Sequence, residues 1–248
     1  MTDFSIKRDG LSLHARLEKP SKNSDTLAIV MHGFTADLGY DESRLVPRIA
    51  SALLQNDFAV LRFDFNGHGK SDGELQNMTV LNEISDAKAV LDFARTLNYA
   101  KIVLIGHSQG GVVASMLAGY YRDLISKLVL LAPAATLKTD AQLGTLQGTT
   151  YDPKNIPDVL NIRGELTVGG FYLRTAQSLP IYEVAHQFNG PVCLIHGISD
   201  KVVDYHASVR YHNGYFDSEL HLLNDTDHSF TGDVAKPAIQ ILLEFLEK

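Results

Sequence analysis

Cysteine is almost absent from this chain of 248 residues: Cys193 stands alone, which excludes an intrachain disulfide. A cysteine-based metal site is not expected either. In the apolar run Pro191-Val-Cys-Leu-Ile195 the thiol reads as a small core side chain. Positive charge is also scarce, with 22 Lys and Arg against 29 Asp and Glu and a formal net charge of −7. A nucleic-acid partner normally demands a basic face, so none is expected. No apolar stretch approaches the length needed to span a bilayer, so no membrane partner is expected. The segment Met1-Thr-Asp-Phe-Ser lacks the basic-then-apolar order of a secretory signal. These absences predict a soluble cytoplasmic protein.

What is present is an alternating rhythm. Phe4–Lys7 and Leu11–Leu17 flank Asp9-Gly10 and predict a hairpin. Buried strands are predicted at Thr26–Met31, Phe58–Phe65, Lys101–Ile105, Lys127–Leu131, Val192–Ile195 and Glu219–Leu223. Between them, apolar residues at helical spacing predict helices over Leu45–Gln55, from Val80 to near Leu97, after Ser108, from His206 to Tyr215 and from about Val234. Such alternation calls for an α/β fold: a mostly parallel central sheet with helices on both faces. The rhythm breaks between Ala134 and Leu179, a stretch rich in Thr, Gly, Gln and Tyr with no clear period. A structureless loop of that length is improbable inside a compact domain. The expected organisation is therefore a core of residues 1–133 and 180–248 with an inserted lobe, residues 134–179, closing over the carboxyl edge of the sheet. The whole forms one catalytic domain.

The chemistry begins at Gly106-His-Ser-Gln-Gly110, which follows one strand and opens a helix. G-x-S-x-G in that setting is a sharp turn presenting a serine. Small residues two before and two after Ser108 relieve the crowding of the turn, and the helix start supplies free N–H groups. Ligand sites of open α/β sheets lie beyond the carboxyl ends of the strands. Two further strands end in reactive residues, Asp200 and His228. A serine hydroxyl needs a base, imidazole suits that task, and a carboxylate fixes the imidazole tautomer. Ser108, Asp200 and His228 stand in the chain order of one known form of that triad. Asp204, Asp225 and Asp227 are the other acidic candidates, Asp204 reading as a helix cap. The tetrahedral oxyanion needs donors worth roughly 3 kcal/mol each. The expected pair is the backbone N–H of Gln109 and that of Phe34 in His32-Gly-Phe34. Five histidines cluster at strand ends: His32, His68, His107, His196 and His228. Packing and hydrogen bonding is their expected role, since no metal-binding spacing accompanies them. Neither a metal nor a cofactor is expected.

Several segments carry a more specific resemblance: His32-Gly-Phe-Thr35, Arg62-Phe-Asp-Phe-Asn-Gly-His-Gly69, Gly106-His-Ser-Gln-Gly-Gly-Val-Val-Ala-Ser-Met-Leu-Ala-Gly119, Leu131-Ala-Pro-Ala-Ala-Thr-Leu137, Gly169-Gly-Phe-Tyr-Leu-Arg174 and Leu194-Ile-His-Gly197. Through them the whole chain resembles the bacterial cinnamoyl (feruloyl) esterases of the α/β-hydrolase superfamily. The resemblance implies a serine carboxylesterase acting on hydroxycinnamic acid esters, a small-molecule aromatic substrate. It also implies that Asp140, Gln147 and Tyr172 of the lobe bind the phenolic ring. An apolar slot with a few polar contacts suits such a group. A short-chain acyl esterase or monoacylglycerol lipase is the alternative within the class, and a non-catalytic receptor on the same fold conflicts with the intact Ser-Asp-His set. The oligomeric state, a homodimer included, stays open.

Overall fold

Alternation along the first strands is what sets the sheet. The computed structural model describes residues 2–248. Strands β1 (Thr2–Arg8) and β2 (Leu11–Glu18) form an antiparallel hairpin, with Asp9 and Gly10 both at positive φ as a two-residue turn of right-twisting strands requires. β3 (Thr26–Met31), α1 (Leu45–Gln55), β4 (Ala59–Phe63), α2 (Val80–Arg95), β5 (Lys101–His107), α3 (Gln109–Tyr120) and β6 (Lys127–Leu131) follow in strand–helix alternation. After the insertion come β11 (Val192–Gly197), α7 (His206–Gly214), β12 (Ser218–Leu223) and α8 (Ala235–Glu247). The eight long strands form one sheet in the order β1-β2-β4-β3-β5-β6-β11-β12, antiparallel only where β2 meets β1 and β4.

Both faces of the sheet are covered, which is why its central strands are continuous apolar runs in the sequence. Along β3, Leu27, Ile29 and Met31 face the core under α2 and α3, while Ala28 and Val30 face the core under α1 and α8. The expected strand Phe58–Phe65 is shorter at both ends, and α2 stops at Arg95. β5 and β11 run further than their apolar runs, because His107 pairs with Leu131 and Gly197 with Leu223. Those added residues carry no hydrophobic signal; the neighbouring strand's register extends them.

Between β6 and β11 the aperiodic stretch resolves into short pieces: α4 (Leu137–Leu143), the hairpins β7 (Thr145–Leu146)/β8 (Thr149–Thr150) and β9 (Val159–Ile162)/β10 (Leu166–Gly169), then α5 (Gly170–Ala176) and α6 (Ile181–Ala185). Elements of two to seven residues are too short to express a period, which is why none was readable there.

One buried ion pair ties the sheet to the loop that follows β3. Arg62 of β4 donates from Nε and Nη2 to Glu18 Oε2 at 2.9 and 2.5 Å, and from Nη1 to the Leu38 carbonyl at 2.8 Å. Asp64 accepts the Leu38 N–H at 2.6 Å, so Leu38 is held at both its N–H and its carbonyl. Glu18→Ala leaves the Arg62 guanidinium buried without its counter-charge. It is expected to cost about 3–5 kcal/mol in urea unfolding, and an unchanged midpoint would show that the pair has no net worth.

Candidate active site

Ser108 sits between the last residue of β5 and the first of α3 with φ 55° and ψ −123°, a conformation non-glycine residues rarely adopt. Its N–H donates to the Leu131 carbonyl at 3.0 Å, and its own carbonyl accepts from Gly111 at 2.9 Å and Ala134 at 3.0 Å. The flanking glycines are required by contact. A Cβ on Gly106 would meet the Gly110 carbonyl, one on Gly110 the His32 carbonyl, and one on Gly33 would stand 2.9 Å from Ser108 Cβ. The turn therefore closes only with small residues at these places.

Three strand ends bring the predicted residues together. The Ser108 hydroxyl lies 2.9 Å from His228 Nε2, and His228 Nδ1 donates to Asp200 Oδ2 at 2.7 Å. Since Nδ1 must carry the proton, Nε2 is left as the acceptor facing the serine. Asp200 Oδ1 accepts from the N–H groups of Val202 and Val203 at 2.8 and 2.9 Å. Asp200 Oδ2 has a second partner among the strand-end histidines, one the sequence does not pair with it: His196 Nε2 at 3.1 Å, whose Nδ1 meets Ser208 Oγ at 2.7 Å. Burial pushes the Asp200 carboxyl up, but the hydrogen bonds from His196 and His228 outweigh it and hold the group well below the carboxylate range. The carboxylate thus stays charged beside the imidazole. The other acidic candidates serve their own loops: Asp204 caps the His206 N–H at 2.9 Å, and Asp227 accepts from the Thr231 N–H at 2.9 Å.

The N–H groups of Phe34 and Gln109 meet no hydrogen-bond acceptor among the described residues, as a pair kept for an incoming oxyanion would require. Two histidines brace that loop. His32 Nδ1 donates to the Gly33 carbonyl at 2.9 Å and Nε2 accepts the Phe65 N–H at 3.1 Å, while His68 Nε2 accepts the Thr35 N–H at 3.3 Å. Burial lowers the His32 pKa to about 3, so the ring stays neutral and can accept. His107 Nε2 donates to the His228 carbonyl at 2.8 Å, and burial together with the His228 ring lowers its pKa to about 4.

Two cavities meet at Ser108. One, of about 500 Å³, runs under the lobe from Ser108 and Gln109 to Asp140 and Tyr172. The other, of about 470 Å³, extends from Ser108 past Gly33 and His228 to Arg44 and Thr231. Burial raises the Asp140 carboxyl above its ordinary range. Tyr172 is buried, stacks on Phe34 with ring centroids 5.8 Å apart, and donates its hydroxyl to Gln109 Oε1 at 2.7 Å. Gln147 lies at the seam of both cavities, its side-chain oxygen accepting from Arg163 Nη2. Glu83, on the apolar face of α2, is buried and accepts from Gln109 Nε2 at 2.7 Å. An acid at a core position of an amphipathic helix was the signal that could have drawn attention to it.

Cys193 is not as isolated as the count of one cysteine implied. Its thiol lies with the Glu219 carboxylate and the His221 ring within 4.8 Å of one another, so a mixed ligand set is geometrically present. Glu219 already has Lys248 Nζ at 2.6 Å and His221 Nε2 at 3.2 Å, and burial pushes the thiol up, keeping it protonated. The cluster is at the opposite end of β11 from Asp200. No helix among the described residues is long and apolar enough to cross a membrane.

A family model described as alpha/beta hydrolase fold matches residues 28–156. The structure of Est1E from Butyrivibrio proteoclasticus with ferulic acid bound superposes with a TM-score of 0.91 at 32% identity, covering 99% of this chain and 100% of that one. Mouse monoglyceride lipase is 32% identical over 133 residues, 52% of this chain and 41% of that protein. Human epoxide hydrolase 4 is 30% identical over 128 residues, 51% of this chain and 32% of that protein. The matched stretches therefore span less than half of those curated relatives.

The neutral His107 ring gives stability a pH slope. Between pH 6.5 and about 4 the unfolded chain binds a proton there that the folded chain does not. Stability is then fully present above pH 6.5 and falls with acidification, by about 1.4 kcal/mol per pH unit for this one group. His107→Gln should flatten the dependence of unfolding free energy on pH by that amount across this window. Parallel curves for variant and wild type would refute the assignment.

Proposed function

Because the chain belongs to the alpha/beta hydrolase fold family, we propose that it is a serine carboxylesterase of hydroxycinnamic acid esters. The observation that carries the substrate class is the cavity leading from Ser108 to a half-buried acid, Asp140, past the stacked rings of Phe34 and Tyr172. A flat aryl group can lie along the cavity beside these rings, and a polar ring substituent would meet the acid. The full-length likeness to Est1E, seen with ferulic acid, supports the same substrate class.

In this mechanism Ser108 Oγ attacks the ester carbonyl as His228 Nε2 takes its proton. The oxyanion forms against the N–H groups of Phe34 and Gln109. Asp200 holds the imidazolium, which then protonates the departing alcohol. Water, deprotonated by His228, attacks the acyl-serine and releases the acid. The second cavity receives the alcohol part. Epoxide opening is poorly served by this arrangement: a serine that opened an epoxide would be left as an ether, which water does not release. A fatty-acyl ester, as the monoglyceride lipase likeness would suggest, would lay hydrocarbon against the Asp140 carboxyl, a desolvation cost with no hydrogen bond in return.

Two measurements test the proposal. Wild-type protein should hydrolyse methyl ferulate, and Ser108→Ala should lose at least about 10⁴-fold in kcat; a folded wild type without turnover sinks the substrate assignment. Asp140→Ala should reduce kcat/KM for methyl ferulate roughly 10- to 100-fold, the worth of a hydrogen bond to a charged group, while p-nitrophenyl butyrate stays within about twofold. Equal losses on both esters would make Asp140 a structural residue.

A further inference from the structure

The acid on α2 has no part in the chemistry described so far, yet it is joined to the cavity by two hydrogen bonds. Glu83 Oε2 accepts from Gln109 Nε2 at 2.7 Å, and Gln109 Oε1 accepts from the Tyr172 hydroxyl at 2.7 Å. All three residues are buried. We propose that Glu83 is a positioning residue: through the Gln109 side chain it turns the Tyr172 proton away from the cavity, so that Tyr172 offers a substrate a lone pair and no proton. The proposal rests on the hydroxycinnamate assignment and adds to it which ring substituents are accepted.

The direction of the relay follows from what surrounds the Gln109 amide. Its nitrogen faces two acceptors, the Glu83 carboxyl and, at 3.6 Å, Met78 Sδ. Turning the amide over would set its oxygen against the Glu83 carboxyl oxygen and the sulfur, lone pair against lone pair, and cost the short bond to Glu83, an expensive exchange in a buried site. With the nitrogen committed to Glu83, the oxygen faces Tyr172, and a phenol beside a carbonyl donates to it. A hydroxyl has one proton and two lone pairs, so only acceptor capacity remains on the cavity side. Asp140 lines the same end of the cavity, and its charge contributes to raising the Tyr172 pKa after burial, Glu83 and Tyr151. Burial likewise pushes the Glu83 carboxyl well up, and in either protonation state Oε2 keeps a lone pair for Gln109.

A cavity end of this kind wants a donor. A phenolic O–H on the ring supplies one, whereas a methoxy group at the same position supplies none and leaves the Tyr172 oxygen facing another oxygen. Discrimination against the analogue that lacks the donor is the stronger form of selectivity, because the buried polar group is then left unpaired.

The test compares methyl p-coumarate with methyl 4-methoxycinnamate. Wild type should prefer the hydroxyl ester in kcat/KM. Glu83→Leu and Glu83→Met, two apolar replacements in case one does not fold, should shrink that preference about tenfold, through KM rather than kcat. Glu83→Gln, which keeps an acceptor, should retain the preference within about twofold. Tyr172→Phe should reproduce the loss, and combining it with Glu83→Leu should add nothing, since neighbours acting through one interaction are non-additive. An unchanged preference in the apolar variants, equal kcat losses on both esters, multiplying effects in the double variant, or a wild type indifferent to the two esters would each overturn the proposal while leaving the esterase assignment standing. A wild type that cleaves p-nitrophenyl butyrate and no cinnamate would instead defeat the hydroxycinnamate assignment, and the relay would fall with it.

Discussion

The backbone at Ser108 is held in a conformation that costs roughly 1–3 kcal/mol for a residue with a side chain, and much of the surrounding structure exists to hold it there. β6 contributes the Leu131 carbonyl to its N–H, and the start of the lobe returns the Ala134 N–H to its carbonyl. α3 can begin immediately only because Gly110 lets the helix pack against the His32 carbonyl, and the loop after β3 can approach only because Gly33 has no side chain to strike Ser108. The strain and the close packing are one feature: the turn lifts the hydroxyl into the space between two cavities while the elements around it stay in contact.

Around that turn, the electrostatics depend on histidines that stay neutral. His32 and His107 are held uncharged by burial, so each can present one donor and one acceptor in a fixed sense. Both are spent on backbone, one on the loop carrying Phe34 and the other on the carbonyl of His228. The remaining charge is concentrated on Asp200, whose four hydrogen bonds from two imidazoles and two peptide N–H groups offset its burial. A carboxylate so anchored has little freedom to leave His228, and the tautomer that faces Ser108 follows from it.

The division of labour follows the architecture. In the proposed mechanism the parallel core supplies the nucleophile, the base, the acid and both oxyanion donors from strand ends whose positions are set by the sheet. The insertion supplies Asp140, Gln147 and Tyr172 from short helices and hairpin turns. Relatives of different names match about half of this chain, and a shared fold does not by itself fix the substrate.

The long strands and helices were readable in the sequence because each spans enough residues to express its period, and the Ser-Asp-His order because each reactive residue follows a run that can only be a buried strand. Gly106, Gly110 and Gly33 likewise announced their turn, since close backbone approach admits nothing larger. The lobe's internal structure was not readable, its elements spanning two periods of a pattern at most. Nor were His196 beneath Asp200 and Glu83 behind Gln109. These pairings join residues 4 to 26 positions apart whose side chains meet only after the sheet and α2 are packed. Local composition determined which elements form and which reactive groups stand at the strand ends. Tertiary packing alone decided which lone pairs and protons face the cavity, because hydrogen-bond direction depends on the neighbours on every side and not on spacing along the chain.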